Sequence, residues 1–504
     1  MSDSKISSRK TKEAGYIKSN MLANYIGKMW SIASIYLFVP LYIKYLGIDA
    51  YGVIAFHSAL LGILFIADAG LSSAFAREVA TRSRNQSELG ALLRSLEGVY
   101  IAIVFVISSG VGLASGWIST SWLTPSQEIP ASLLQTSIIL MGATAAIQVA
   151  MSLYNGGLMG ADRHAMANSF QIGFSMVRSG LVILPLHFYP NLLFYFGWQL
   201  VTSIFFLMWM RRTVWLKLGL SSSARFSTEA LRKVSRFALG MLGIAVISAL
   251  NTQLDKLVLS KMLNLQDLAR YTVAGLLAQA PSIITLPIAV SLLPRLTRWA
   301  TDRQHERLIS VYHRFSYIIA SIAATAGLVV ALNPVQLITW WTGNTSLAAG
   351  LEMTVRILVA GHLMLALQYM PYHLALAHGH SRTNLIIGSA FLVVTPFLLV
   401  VLIQQYGISG AAIPWLLMNA SGAILLAILL TRRFLSGQLR QWWLNGFCTP
   451  IVITSICTGS IQWAWPALGL NSEDWMWKIV ALIVTCSLSC LVAYLLLFSR
   501  MRTE

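Results

Sequence analysis

Polar side chains recur along one face of an apolar stretch, residues 166–188, that is long enough to cross a bilayer. Asn168, Gln171, Ser175 and Arg178 lie at i, i+3, i+7 and i+10, so a helix carries them as one stripe. An ionisable side chain at membrane depth is costly and needs a partner or a water-filled cavity. The stripe favours a face lining an aqueous cavity, with a hydrogen-bonded seam between helices as the alternative. In such a cavity Arg178 would attract anionic groups.

Two further cations lie near the ends of apolar stretches, Lys28 in the first and Arg356 in the tenth. Either one could line the same cavity, or could extend its charged end to the lipid headgroups. Tyr369 and His373 share a face of the tenth stretch at i and i+4. These rings could stack on sugars, or they could belong to an interfacial aromatic belt.

Acidic residues are rarer within the apolar stretches. Asp255 and Lys256 are adjacent, so on a helix they point about 100° apart and need not pair with each other. Asp68 shares a face with His57 but lies about 16 Å from it along the axis. An aspartate at this depth can carry a coupling proton or sodium ion, or can form a structural ion pair. We therefore take Asp68, Asp255 and Lys256 as candidates for ion coupling or gating.

Motifs of catalysis and metal binding are missing from the sequence. It contains no G-x-S-x-G, no H-E-x-x-H and no P-loop, and its four cysteines show no CxxC spacing. We therefore expect no enzymatic activity, no metal site and no cofactor.

The composition excludes a water-soluble protein. Of 504 residues, 56% are hydrophobic and only 11% are charged, whereas soluble chains are about a quarter charged. The 36 Lys and Arg against 18 Asp and Glu would suggest nucleic acid in a soluble protein, but their positions in alternate loops have a simpler explanation in membrane topology. Nucleic acid is therefore not an expected partner.

Hydropathy predicts an all-α polytopic membrane protein with about fourteen transmembrane helices, because a bilayer core of about 30 Å needs about 20 apolar residues per helix. Strict alternation of polar and apolar residues, the pattern of a membrane β-barrel, is absent. The predicted spans are 21–43, 51–75, 98–120, 131–158, 166–188, 192–210, 237–260, 271–294, 315–342, 352–377, 383–405, 409–431, 446–469 and 479–499.

Charge distribution predicts the orientation. Residues 1–20 form a basic tail, and most cations lie in this tail and in alternate loops. The opposite loops contain only Lys44, Lys261, Arg270 and Lys478. By the positive-inside rule, both termini are expected in the cytoplasm, which requires an even number of spans.

Internal similarity predicts two halves. Tyr51 opens one predicted helix and Tyr271 another, about 220 residues later, and a basic loop follows each helix. Repeated halves are common in secondary transporters, which bind substrate between them. We predict an N-terminal six-helix lobe at 21–225, a C-terminal six-helix lobe at 226–435, and two additional helices at 436–504. The loops are too short for an extramembrane catalytic domain.

Four stretches resemble the polysaccharide-transporter flippases of the MOP superfamily, the Wzx-like flippases. They occur in the expected order, and the most specific feature is the Asp255-Lys256 pair followed by Tyr271. The sequence departs from the usual pattern at Ala269-Arg270, where a glycine normally precedes the tyrosine. The stretches are LLGILFIADAGLSSAFARE (60–78), NGGLMGADRHAMAN (155–168), NTQLDKLVLSKMLNLQDLARYTVAGLLAQ (251–279) and LPRLTR (293–298).

This resemblance implies a transporter of the bacterial inner membrane that moves undecaprenyl-pyrophosphate-linked oligosaccharide, such as an O-antigen unit, from the cytoplasmic to the periplasmic leaflet. It also implies two lobes around a cationic cavity that opens alternately to each side. Arg178, Lys28 and Arg356 would bind the pyrophosphate or an acidic sugar, with Asn168 and Ser175 on the same polar face and Tyr369 and His373 near the glycan. The expected partners are this lipid-linked substrate, membrane lipids and a coupling sodium ion or proton.

Three other functions remain open at this point. A multidrug exporter of the same superfamily would favour a cavity rich in carboxylates, whereas the predicted spans here contain more Lys and Arg than Asp and Glu. A flippase for lipid-linked peptidoglycan precursor would also suit a cationic cavity. A membrane polysaccharide polymerase or ligase would normally need a larger outer loop.

Overall fold

A computed structural model describes residues 27, 29–30, 32–81, 86–124, 129–220, 224–467 and 474–498, with the backbone alone at 244, 467 and 498. Most of these residues are helical. The described part of the chain contains no strand, only an isolated β-bridge between Thr124 and Asn264. The prediction of an all-α protein is therefore confirmed. The basic tail at 1–20 and Lys28 lie outside the described residues.

Nineteen α-helices occur in this described part, and they are numbered here in chain order. They are α1 Ile32–Leu46, α2 Ile48–Leu64, α3 Leu71–Ala80, α4 Gln86–Trp117, α5 Ala131–Gly160, α6 His164–Ser175, α7 Ile183–Phe188, α8 Leu192–Lys217, α9 Thr228–Met262, α10 Leu265–Ala278, α11 Ala280–Thr301, α12 His305–Leu332, α13 Pro334–Thr342, α14 Thr345–Ala348, α15 Glu352–Ala377, α16 Arg382–Phe434, α17 Leu439–Gln441, α18 Thr449–Ala467 and α19 Trp475–Phe498. Segments of other pitch are the 3₁₀ turn Phe65–Asp68 and the π-helical segments Ile118–Trp122, Met176–Leu181 and Trp442–Cys448.

Twelve helical segments among the described residues are long and apolar enough to cross a membrane. One of them, α16, has 53 residues and is interrupted at Gly407, whose φ of 58° and ψ of −133° are not helical. The chain reverses there, as the contact of 3.9 Å between Thr395 Oγ1 and Met418 Sδ on the two sides of Gly407 shows. Counting both halves of α16 and the shorter apolar helix α1 gives fourteen candidate crossings within the described ranges, the number that hydropathy predicts.

Large apolar side chains on the outer surface fit this membrane assignment. Leu113 is 88% exposed, Phe105 71% and Leu496 72%. Side chains of this kind need lipid rather than water around them. The chain is therefore a multi-pass membrane protein.

Contacts divide the chain into two compact units, with the boundary after Gln266. Unit 1 contains α1 to α9, and unit 2 contains α11 to α19, with α10 at the boundary. The finer division into lobes at 21–225 and 226–435 and two additional helices at 436–504 stays a prediction.

Two glycines of α5 allow this helix to pack in direct backbone contact with α3. A Cβ at Gly156 of α5 would lie 2.5 Å from the carbonyl oxygen of Ser72 on α3, and one at Gly160 would lie 2.2 Å from that of Ala76. Small residues four apart allow this packing in membranes, where van der Waals contact replaces the hydrophobic effect as the driving force. This contact positions α3, and the turn before it, against α5.

The predicted helix 51–75 is wrong as a single straight element. The observed α2 ends at Leu64, a 3₁₀ turn follows through Asp68, and α3 begins at Leu71. Ala69 and Gly70 have positive φ angles of 49° and 74°. The break places Asp68 at the end of a turn, where its carboxylate is accessible to neighbouring helices.

Unit 2 packs α11, α12, α15 and α16 around a core with buried aromatic and aliphatic side chains. Tyr312, Leu296, Leu374 and Trp442 are each at most 1% exposed. The observed α15, Glu352–Ala377, has the predicted bounds, and it places Tyr369 within this core.

Candidate functional site

Arg178 lies in the π-helical segment Met176–Leu181, in the middle of a candidate membrane span. Its Nη1 donates to Oε1 of Gln148 on α5 at 3.0 Å, and its guanidinium lies 5.1 Å from the Phe174 ring centroid. Its Nε is buried without a hydrogen-bond partner in the described structure, and no ion pair involving Arg178 occurs among the described residues. In the part of the chain that the structure describes, the guanidinium therefore contacts a neutral amide and a ring but no carboxylate.

Side chains from two other helices stabilise the π-helical segment by donating to its carbonyl groups. Trp198 Nε1 donates to the carbonyl of Val177 at 2.9 Å, and Gln199 Nε2 donates to that of Arg178 at 3.1 Å. The Tyr42 hydroxyl donates to the carbonyl of Ser179 at 2.6 Å. A π-helical turn disturbs the regular backbone hydrogen bonds, and inside a bilayer the affected carbonyls need partners. These contacts position Arg178 through its own backbone.

Asp68 lies at the end of the 3₁₀ turn of unit 1 and accepts hydrogen bonds from three hydroxyl groups. Ser72 Oγ donates to its Oδ2 at 2.8 Å, Ser152 Oγ donates to its Oδ1 at 2.6 Å, and the Tyr100 hydroxyl also donates to Oδ1. No Lys or Arg forms an ion pair with Asp68 among the described residues. Hydroxyl donors stabilise a carboxylate without neutralising its charge.

One face of α5 connects these two charged groups. Gln148, which binds Arg178, and Ser152, which binds Asp68, are four residues apart and so lie about 6 Å apart along the axis. Both side chains line a cavity of about 210 Å³ within unit 1. Neither Arg178 nor Asp68 lines the cavity itself, but each is hydrogen-bonded to one neutral residue that does.

The rest of the predicted polar stripe is only partly in this cavity. Gln171 lines it, whereas Asn168 is 8% exposed and donates from Nδ2 to the carbonyl of His164 at 2.8 Å. Ser175 is half-buried next to the π-helical segment and does not line the cavity. The π-helical turn begins at Met176, so it moves Arg178 out of phase with these three residues, which the period of 3.6 does not anticipate.

Asp255 and Lys256 lie half-buried on α9. The carboxylate of Asp255 accepts from the backbone N–H of Lys256 at 2.8 Å, and Lys256 Nζ lies 3.4 Å from Oε1 of Gln253. The helix packs closely against α2 here, since a Cβ at Gly62 would lie 2.8 Å from Gln253 Cγ. Neither residue lines the unit 1 cavity, and their role in gating stays a prediction.

The three predicted site residues of unit 2 make local contacts. Arg356 is exposed, and its Nε donates to the carbonyl of Ala331 near the C-terminus of α12 at 3.0 Å. Tyr369 is 8% exposed and His373 4% exposed, and His373 Nδ1 lies 2.7 Å from the Tyr369 carbonyl. A sugar could reach these two rings only if the core opened. Their roles in binding stay predictions.

Sequence analysis missed a buried charge cluster in unit 1. The Glu97 carboxylate is 6% exposed and accepts from Arg211 at 2.8 and 3.0 Å, from Trp215 Nε1 at 2.8 Å and from the Tyr154 hydroxyl at 2.9 Å. The predicted span began at residue 98, whereas α4 begins at Gln86, so Glu97 was assigned to a loop. The spacing of Arg94 and Glu97 at i and i+3 was the available signal.

Across the described ranges, no cluster of three or more His, Cys, Asp or Glu could hold a metal ion. The cavity lining supplies amides, a hydroxyl group and aromatic rings, and one cation and one carboxylate lie directly behind it. This set can bind an anion, a hydroxylated molecule, and a proton or a small cation.

Comparison with known proteins gives matches over most of the chain. The sequence profile of the polysaccharide biosynthesis protein family matches residues 17–300. A Shigella flexneri protein described as an O-antigen transporter is 21% identical over 403 residues, which cover 77% of this chain and 91% of that protein.

Solved structures share the fold. The lipid II flippase MurJ in an inward closed conformation aligns with a TM-score of 0.72 and 13% identity, over 96% of this chain and 99% of its own. An inward-facing multidrug resistance transporter of the MATE family, in the MOP superfamily, aligns with a TM-score of 0.66 and 15% identity, over 82% and 96%. The chain therefore shares its fold with these two membrane proteins.

Proposed function

Because the chain belongs to the polysaccharide biosynthesis protein family, we propose that it is a flippase for undecaprenyl-pyrophosphate-linked oligosaccharide repeat units. It would move them from the cytoplasmic to the periplasmic leaflet of the bacterial inner membrane. The relative described as an O-antigen transporter supports this class of substrate. The positive-inside distribution of Lys and Arg supports cytoplasmic termini.

The observation that carries the proposal is that Arg178 has no anionic partner among the described residues. Within the described ranges this guanidinium at membrane depth contacts the neutral Gln148 and Phe174 and no carboxylate, whereas such a group calls for an anionic partner. A pyrophosphate carries about two negative charges and cannot cross about 30 Å of hydrocarbon without replacement of its hydration. Charge-assisted hydrogen bonds from Arg178 would provide part of that replacement. The lipid tail remains in the bilayer throughout.

Asp68 is the candidate for ion coupling in this scheme. Its carboxylate contacts Ser152, which lines the cavity beside Gln148, the residue that binds Arg178. Uptake of a proton or a sodium ion at Asp68 would change the charge next to the substrate site. Transport would then proceed by alternating access, with the ion taken up on the periplasmic side, where the substrate is released, and released on the cytoplasmic side.

Replacement of Arg178 by alanine tests the proposal. The expected result is at least a tenfold loss of surface polysaccharide, with lipid-linked repeat units accumulating in the inner leaflet and the amount of protein unchanged. Arg178→Lys keeps the charge and should retain part of the activity, because the bidentate geometry alone is lost. Arg307→Ala is the matched control, since Arg307 is exposed at the start of α12 and contacts Gln304. Normal polysaccharide in the Arg178→Ala strain would contradict the proposal.

A further inference from the structure

We propose that the unit 1 cavity is a subsite for a single neutral sugar ring of the substrate, distinct from the pyrophosphate site at Arg178. The inference rests on the proposed function, because it names the part of the lipid-linked oligosaccharide that enters the cavity. It is argued from the lining, the size and the accessibility of the cavity.

The lining combines aromatic rings with amides and a hydroxyl and has no charged side chain. The rings are Phe65, Phe170 and Phe174, and the polar groups are Gln148, Ser152, Asn155 and Gln171. The remaining lining residues are Met151, Ala167 and Met210.

The residues that line the cavity favour a sugar ring over the pyrophosphate and the lipid tail of the substrate. A pyrophosphate would find no cation in the lining, and its desolvation would be uncompensated. A lipid tail would leave the exposed amide of Asn155 without a hydrogen-bond partner. A sugar ring satisfies both halves of the lining, because its C–H face packs on aromatic rings and its hydroxyl groups exchange hydrogen bonds with amides.

Size favours one ring over an oligosaccharide. The volume of about 210 Å³ is below the roughly 300–1,000 Å³ of pockets for drug-sized ligands. The rest of the oligosaccharide would have to lie outside the cavity.

Exposed residues in the lining allow a ligand to reach the cavity and to form new contacts there. Phe65 is 39% exposed, and the Asn155 side chain is exposed and makes no hydrogen bond to a described residue. Gln148, by contrast, already bonds Arg178 and Ser203. Asn155 and Phe65 are therefore the residues whose replacement should affect the sugar most directly.

The test compares two lipids on the purified full-length protein in nanodiscs. One probe is undecaprenyl pyrophosphate without sugar, and the other is the lipid-linked repeat unit extracted from a strain that lacks the flippase gene. Wild-type protein should bind the sugar-bearing lipid more tightly. Asn155→Ala and Phe65→Leu should weaken binding of that lipid about tenfold, the equivalent of one lost hydrogen bond or ring contact, and should leave the bare pyrophosphate unaffected. Phe205→Leu on the outer face of α8, where Phe205 is 55% exposed, is the matched control.

The outcomes separate this inference from the proposed function. If wild-type protein binds neither lipid, the proposed function is wrong. If it binds both lipids equally, or if both cavity variants bind the sugar-bearing lipid as well as wild type, the sugar subsite is refuted while the pyrophosphate site stands. Arg178→Ala should weaken both lipids by the same factor, which the cavity variants should not do.

Discussion

Replacing Glu97 by glutamine should destabilise unit 1 without removing any substrate contact. The carboxylate is the common acceptor for Arg211, Trp215 and Tyr154, which come from α8 and α5. Glutamine keeps the shape and one acceptor oxygen. It also places an amide N–H₂ against the Arg211 guanidinium, so that a donor faces a donor.

The size of the expected loss of stability follows from the burial of the Glu97–Arg211 ion pair. Breaking a buried ion pair by removing one partner costs about 3–5 kcal/mol. Arg211 is 45% exposed, so water recovers part of this cost, and we expect a loss of about 2 kcal/mol. In a domain of this size about 1 kcal/mol shifts the melting temperature by about 2–4 °C, which predicts a decrease of about 4–8 °C.

Thermal unfolding of the purified protein in nanodiscs, followed by tryptophan fluorescence, measures this decrease. Glu88→Gln is the control, because Glu88 is exposed in the first turn of the same helix, and a surface change of this kind is within about 0.5 kcal/mol. Combining Glu97→Gln with Arg211→Gln should cost less than the sum of the two single variants, since the second change removes the unpaired cation.

Two results would refute this reasoning. Equal melting temperatures for Glu97→Gln and Glu88→Gln would show that the cluster adds nothing to stability. Strict additivity in the double variant would show that Glu97 and Arg211 do not interact in the membrane-embedded protein.

Two further predictions concern Asp68 and the glycines. Asp68→Asn should leave stability within about 1 kcal/mol, because the amide oxygen still accepts hydrogen bonds and a half-buried charge disappears, but it should abolish surface polysaccharide; wild-type polysaccharide levels would exclude a coupling role. Gly160→Ala should lower stability by about 1–3 kcal/mol, because its Cβ would meet the Ala76 carbonyl oxygen at 2.2 Å. Gly110→Ala, where nothing lies within 4 Å, should instead raise stability by about 0.5–1 kcal/mol; melting temperatures that change in the same direction for both would contradict the packing argument.

The sequence was sufficient for the fold and the family, because each depends on properties spread over many residues. Hydropathy predicted the number of crossings, including the interruption between 405 and 409, since a bilayer imposes the same length on every helix. The resemblance to MOP-superfamily polysaccharide transporters, based on four stretches, is confirmed by the family match.

The candidate site could be predicted only in part, because backbone irregularities decide which side chains meet. Arg178 and Asp68 were identified as costly ions, but the π-helical turn and the positive φ of Ala69 and Gly70 cannot be derived from helical periodicity. Tyr369 and His373 share a face as predicted, yet the same spacing serves a packed core as well as a cavity. The connection through Gln148 and Ser152 was not predicted, because it depends on which helices are neighbours.

The reversal at Gly407 also determines the parity of the topology. An uninterrupted helix of 53 residues would be about 80 Å long, more than twice the roughly 30 Å of hydrocarbon that it would have to fit. If the chain crossed once instead of twice at this point, every later segment would be inverted, and Arg432 and Arg433 would lie on the side opposite to the one that the positive-inside rule predicts. A single glycine conformation in unit 2 therefore fixes the sidedness of everything that follows it.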